Sequence, residues 1–274
     1  MIDYLTQERL WLLEPEAFLR LAALPRLASM PQLSPQGDDE YRYEQQGSLA
    51  TVPIHGKMLR RATEADRAIL HAYGLEYTEM EKAAKVLQKL AADPSVSVVL
   101  LDIDSPGGTV NGTPELAQAV RSLSKQKFVY AYTAGLACSA AYWVASQCDG
   151  IYAAPSARVG SIGVLMPLID SSEALSQRGV KLDVFAAGKY KSTGTPGTAL
   201  TDEQRELLQR QVNDTWEEFK AAVTHRRRTI AAEHMEGQTF TGREARTIGL
   251  VDACANSLAA VQQRLITRHR VTSI

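Results

Sequence analysis

The residues of this chain that can do chemistry fall in three short segments. Asp104-Ser105-Pro106-Gly107-Gly108 closes an apolar run, Gly135-Leu136-Ala137-Cys138-Ser139-Ala140-Ala141 follows, and Gly188-Lys189-Tyr190-Lys191 comes last. The first offers backbone amides, the second a hydroxyl, the third an amine. A serine hydroxyl is a weak nucleophile until a base takes its proton. A lysine serves as that base only when neutral, far below its usual pKa of about 10.4. An apolar pocket without carboxylates supplies such a shift, and the segment Phe185 to Lys191 carries no acid. Paired glycines let a backbone approach a substrate closely and turn amides toward a developing oxyanion. Helix-start amides after Ser139 favour negative charge in the same way, with Ala140 as the donor. The chemistry indicated is acyl transfer by a Ser/Lys dyad of Ser139 and Lys191. Each part alone has a blander reading: a helix cap for Ser139, a tight turn for the glycines, a solvated loop lysine for Lys191.

These groups need a scaffold. Leu49 to Ile54, Val98 to Ile103, Phe128 to Tyr132, Ile151 to Ala153, Ile162 to Leu165 and Leu182 to Phe185 read as strands. Helical patterns lie between them at Thr78 to Ala92, Pro114 to Leu123, Ser139 to Ser146 and Ser171 to Arg178. Strands alternating with helices imply an α/β protein with a largely parallel sheet. In such sheets ligands bind beyond the C-terminal strand ends, where Asp104 to Gly108 must lie. Thr78 with Glu81 and Thr201 with Gln204 have the spacing of capping boxes. The second opens a long helix carrying Leu208, Val212, Phe219 and Val223 on one face, and a last helix covers Ser257 to Ile266. Residues 56–77 lack a clean period and read as a partly helical flap. Residues 8–28 are helix-like up to Pro25, and a polar linker runs on to Gly47. We therefore divide the chain into an N-terminal helical arm and linker (1–47), a main domain (48–266) and a tail (267–274).

The 274 residues are 45% hydrophobic and 22% charged, an ordinary composition for one globular domain with appendages. With 30 Lys+Arg against 31 Asp+Glu the net charge is -1, so no general attraction to nucleic acid or anionic membrane is expected. The single basic run, Arg226-Arg227-Arg228, reads as a solvated helix end. Three cysteines without a CxxC pair argue for a reducing compartment, not a disulfide framework. Neither a leader peptide nor a membrane anchor is read from the sequence, and no metal or cofactor motif is present.

The three segments in this order resemble the signal peptide peptidase A family of serine peptidases, most closely its tailed-phage head-maturation (capsid) proteases. The family pattern runs Ser-Pro-Gly-Gly, Cys/Ala-Ser-Ala/Gly, Gly-Ser-Ile-Gly, Gly-x-x-Lys. Here it reads Ser105 to Gly108, Cys138-Ser139-Ala140, Gly160-Ser161-Ile162-Gly163 and Gly188 to Lys191, with 52 positions from Ser139 to Lys191. The resemblance covers roughly residues 48–266. It implies a crotonase/Clp-protease-like fold of repeated ββα units. It makes Ser139 the nucleophile and Lys191 the general base. Gly107 or Gly108 and Ala140 become the oxyanion donors, and Ser161 the group that orients the lysine. It implies a polypeptide substrate cut after small apolar residues, such as a scaffold, portal or capsid protein, and a homo-oligomer with sites near subunit interfaces. The setting would be a bacterial cytoplasm or assembling procapsid. The Clp subunit's triad histidine has no counterpart, because residues 157–164 hold no histidine. Three alternatives stay open: a host peptidase degrading signal or membrane peptides, a crotonase-like acyl-CoA enzyme, and a catalytically dead capsid-assembly protein.

Overall fold

The structure, a computed structural model, describes residues 11–13 and 41–271. Most of the N-terminal helix and linker expected from the sequence lies outside these residues. The part inside, Trp11–Leu13, is a strand, β1, rather than helix. Its apolar residues suit either element, and pairing with a free strand edge decides the outcome. β2 (Glu44–Gln46) and β3 (Leu49–His55) form a hairpin turned at Gly47, whose φ of 59° suits glycine. β4 (Lys57–Leu59) leads into α1 (Glu64–Ala72), so residues 56–77 are indeed partly helical. Thr63 and Asp66 cap α1 reciprocally. β5 (Tyr77–Glu79) then runs directly into α2 (Met80–Ala92).

The capping box read at Thr78 and Glu81 does not form. The Thr78 hydroxyl donates to the His55 carbonyl at 2.9 Å, and Glu81 is held by Arg60 and Arg61 at 2.8 Å each. Tertiary partners have outcompeted the local cap.

From here the chain repeats two strands and a helix. β6 (Val98–Asp104), β7 (Gly107–Thr109) and α3 (Thr113–Leu123) make one unit. β8 (Phe128–Thr133), β9 (Leu136–Cys138) and α4 (Ala140–Ala145) make the next. β10 (Gly150–Ala153) and β11 (Arg158–Gly160) begin a third, which ends in the short α5 (Ser172–Gln177). α6 (Asp202–Arg226) follows, with the expected Thr201/Gln204 capping box in place. β12 (Thr239–Thr241), α7 (Gly242–Thr247), β13 (Ala253–Cys254) and α8 (Leu258–Val271) complete the chain. Residues 162–165 and 182–185, read as strands, form none. The apolar alternation of the second is solvent-facing, with Phe185 97% exposed.

The central sheet has the order β13-β10-β8-β6-β3-β2 and is parallel except at the β2–β3 hairpin. β6 shows why it is central. Val99, Leu101 and Ile103 pack into the main core with α2, α3 and α4. Val98 and Leu100 face the other way, onto Tyr130, Tyr152 and the α8 residues Val261 and Leu265. A parallel strand buried on both faces reads as one apolar run. Each such side chain contributes about 1.5–3 kcal/mol when removed from water.

Two small sheets, β1-β7-β4-β5 and β12-β11-β9, lie beside the central one. The basic run at the end of α6 is solvent-exposed at Arg228 only. Arg226 reaches Asp149 at 3.3 Å, and Arg227, 8% exposed, meets Asp252 at 2.6 Å. A buried guanidinium needs such a partner, because leaving it alone is costly.

Candidate active site

β9 runs parallel to β11, with Cys138 opposite Gly160. One residue further, both chains break the strand geometry. Ser139 has φ 55° and Ser161 φ 51°, the only positive values for non-glycine residues among those described. With ψ at -120°, Ser139 sits on a sharp strand-to-helix turn between β9 and α4. A backbone of this kind stores about 1–3 kcal/mol and persists only where its surroundings enforce it. The enforcement is visible. The Ser139 amide donates to the Gly160 carbonyl at 2.8 Å, and every residue of α4 is buried.

Ser139 occupies the cap position of α4, yet its side chain makes no capping hydrogen bond. Its Oγ is buried and has no hydrogen-bond partner. An orphaned buried hydroxyl costs about 1–3 kcal/mol. A cap would have satisfied it, so the capping reading does not hold.

The Ser-Pro-Gly-Gly turn is stitched to this nucleophile segment. Ser105 and Ala137 form a parallel bridge, Ser105 N donates to Leu136 O at 2.8 Å, and Cys138 N donates to Ser105 O at 3.2 Å. Asp104 Oδ1 accepts the Leu136 amide at 2.9 Å. A Cβ on Gly135 would stand 2.4 Å from that carboxylate oxygen, so glycine is required there. Two residues past that bridge Gly107 opens β7, which lies against α4, the helix that Ser139 starts. Gly107, at φ 105°, donates its amide to Ser105 Oγ at 3.1 Å. Gly108 in turn lies in β7, which pairs with a strand on each side, so the two glycines stay undivided as candidate oxyanion donors. Gly108 is pressed against β4: a Cβ there would lie 1.8 Å from the Met58 carbonyl oxygen. The α4 amides from Ala140 precede the first helical hydrogen bond, which Trp143 N makes to Ser139 O at 2.9 Å.

The structure thus brings Ser139, Ser161, Gly107, Gly108 and Ala140 to one place, but not Lys191. Lys191 is exposed in a turn closed by its own amide on Gly188 O at 3.1 Å. Since Ser139 Oγ has no partner, no Ser139–Lys191 hydrogen bond exists within the chain. The region from Ile169 to Tyr190 is rich in exposed apolar side chains: Ile169, Val180, Leu182, Val184 and Phe185.

Sequence reading missed Asp104 and Ser105 as the groups that anchor the turn. Gly135 was the available signal, as a glycine made necessary by a carboxylate close beside it. Among the cysteines, burial pushes the Cys148 thiol up to about 12, which removes it as a thiolate nucleophile.

The profile of peptidase family S49 matches residues 121–269. The chain belongs to this family. A putative protease of Methanocaldococcus jannaschii, MJ0651, is 38% identical over 170 residues, covering 61% of this chain and 55% of its own length. Capsid assembly protease C of Escherichia phage lambda is 30% identical, with 85% of this chain and 53% of its own covered. Head-tail preconnector protein GP5 of Enterobacteria phage P21 is 34% identical, with 80% and 43% covered. The chain therefore spans about half the length of the curated relatives it matches. An enoyl-CoA hydratase/isomerase from Marinobacter aquaeolei superposes with TM-score 0.47 at 15% identity, over 84% of this chain and 75% of its own, too loosely to argue from. No helix among the described residues is long and apolar enough to cross a membrane.

Proposed function

We propose that this S49 member is a serine endopeptidase in which Ser139 is the nucleophile and Lys191 the base, acting in the processing of phage head proteins. The observation that carries the reading is Ser139 itself: a strained, buried, uncapped serine in a segment bridged to the Ser-Pro-Gly-Gly turn. The unsatisfied hydroxyl costs folding free energy, and an acyl-enzyme mechanism accounts for its retention.

Ser139 Oγ attacks the carbonyl carbon of the scissile bond while its proton passes to a neutral Lys191 amine. The oxygen takes up negative charge against the amides of Gly107 or Gly108 and of Ala140, each worth about 10²–10³ in rate. Collapse expels the amine product, which takes the proton from Lys191. Water, deprotonated by the same lysine, then hydrolyses the ester and frees Ser139. Ser161, turned at the same level as Ser139, orients the lysine amine.

One chain does not assemble this dyad. The exposed apolar side chains before Lys191 favour docking against a second copy, which buries the lysine beside that copy's Ser139. Burial in apolar surroundings is also what keeps a lysine neutral. The capsid-protease names of the lambda relative, and the head-tail name of the P21 one, support a phage head substrate. Membership in S49 argues against the acyl-CoA alternative, and the unsatisfied Ser139 hydroxyl argues against a dead protease core.

A fluorophosphonate probe tests the reading. Covalent labelling at Ser139, lost in Ser139→Ala and in Lys191→Ala, is the expected result. An unlabelled Ser139 in the assembled protein would overturn it.

A further inference from the structure

β7 has two edges. β4 takes one, with Met58 opposite Gly108, and β1 takes the other. β1 is antiparallel to β7, with Trp11 opposite Thr109, Leu12 opposite Gly108 and Leu13 opposite Gly107. Gly107 begins β7 two residues past the Ser105–Ala137 bridge that ties this turn to the nucleophile segment, so β1 runs from N to C toward that segment. It ends with Leu13 opposite Gly107.

The acyl half of any polypeptide cut by Ser139 must approach with this polarity, because the carbonyl attacked belongs to its last residue. Extended peptides commonly bind proteins by adding a strand to an open edge. Here the edge beside the candidate oxyanion donors is already filled by the protein's own chain, while Ser139 Oγ is sealed from solvent. A three-residue edge strand is weakly held on its own and exchanges readily with a competitor.

We propose that Trp11–Leu13 is a tethered competitor for polypeptide substrate, lodged along Gly107–Thr109 in the orientation of the substrate's acyl half. This rests on the reading of Ser139 as nucleophile. The role assigned to the segment is to hold turnover down until an incoming polypeptide displaces it. A tethered segment at about millimolar effective concentration, binding with a Kd of about 0.1 mM, raises the apparent KM about tenfold.

The test compares the full chain with Leu12→Pro and Leu13→Pro. Successive amides of a strand point to opposite sides, so one of these prolines removes a donor facing β7 whatever the phase. Hydrolysis of fluorescein-labelled casein should show a KM about tenfold lower in that variant, with kcat unchanged. A synthetic peptide of residues 8–16 should return its KM to the wild-type value. Melting curves identify a variant that fails to fold, and Leu12→Gly, which weakens the strand without a ring, then takes its place. Equal KM values across the folded forms, or a peptide without effect, overturn the proposal. Fluorophosphonate labelling run alongside separates the two ideas: Ser139 labelled in every form with no KM change defeats the competitor alone. Ser139 labelled in none defeats the peptidase reading and the competitor with it.

Discussion

Replacing Gly108 by alanine tests the candidate oxyanion edge at its tightest point. The added Cβ would lie 1.8 Å from the Met58 carbonyl oxygen and 2.5 Å from its carbon, where real Cβ contacts essentially never fall below 3.0 Å. Both atoms are backbone, so no side-chain rotation relieves the clash, and β7 must move away from β4 by more than about 1 Å. Misplacing a reacting group by about 1 Å costs on the order of 10²-fold, and loss of an oxyanion donor costs about 10²–10³. We therefore expect kcat/KM for Gly108→Ala to fall by about 10²–10³. Overpacking should also remove about 1–3 kcal/mol of stability, lowering Tm by roughly 2–4 °C for each kcal/mol in a chain of this size. Gly74→Ala is the control. Gly74 also has a positive φ, 61°, but nothing lies within 4 Å of its Cβ position. Its kcat/KM should stay within a factor of two, with only the modest stability loss of a strained turn. Peptide hydrolysis and calorimetry on the three proteins decide the matter. A Gly108→Ala enzyme within threefold of wild type would show that this edge neither touches the reacting carbonyl nor is as closely packed as described.

Other outcomes follow from the same geometry. Ser139→Ala and Ser139→Gly should both abolish turnover. The glycine variant should nonetheless be the more stable by about 1 kcal/mol in urea titrations, because relief of the positive φ outweighs glycine's entropic cost. The reverse order would mean the turn is unstrained. Mixing Ser139→Ala with Lys191→Ala protein should restore activity at about a quarter of the sites if neighbouring copies share the dyad, and at none if each chain supplies both residues. His55 Nε2 lies 3.0 Å from Asp102, and that hydrogen bond raises the histidine's pKa. The pair's contribution is complete below pH about 6.5 and is lost as pH rises through the raised folded value. The urea-midpoint gap between wild type and His55→Gln should therefore be wider at pH 5.5 than at pH 8.5.

What could be read in advance depended on whether a signal was local or long-range. The apolar run from Val98 to Ile103 and the Thr201/Gln204 cap carry their structure in their own spacing, and both formed. Thr78 and Glu81 had equally good spacing but lost it to His55, Arg60 and Arg61, none of which a local rule consults. Leu182 to Phe185 alternates as a strand should, yet forms no strand. Arg226 and Arg227 read as solvent-facing because their partners, Asp149 and Asp252, are remote in sequence. Of the candidate site, Ser139, Ser161, Gly107, Gly108 and Ala140 converge as the motif order implied. Lys191 does not join them within the chain, and nothing local in its segment signals that separation. Trp11–Leu13 was misread for a related reason: its apolar residues fit a helix locally and a strand edge globally.

The turn at Ser139 also limits which element of the genetic code can serve there. Threonine carries the same hydroxyl and is a competent nucleophile in other settings. Its branched Cβ, however, is poorly compatible with a φ of 55°. Cysteine shares serine's unbranched shape and would fit. Among hydroxyl and thiol nucleophiles, the handedness of the backbone thus favours serine or cysteine over threonine at this position.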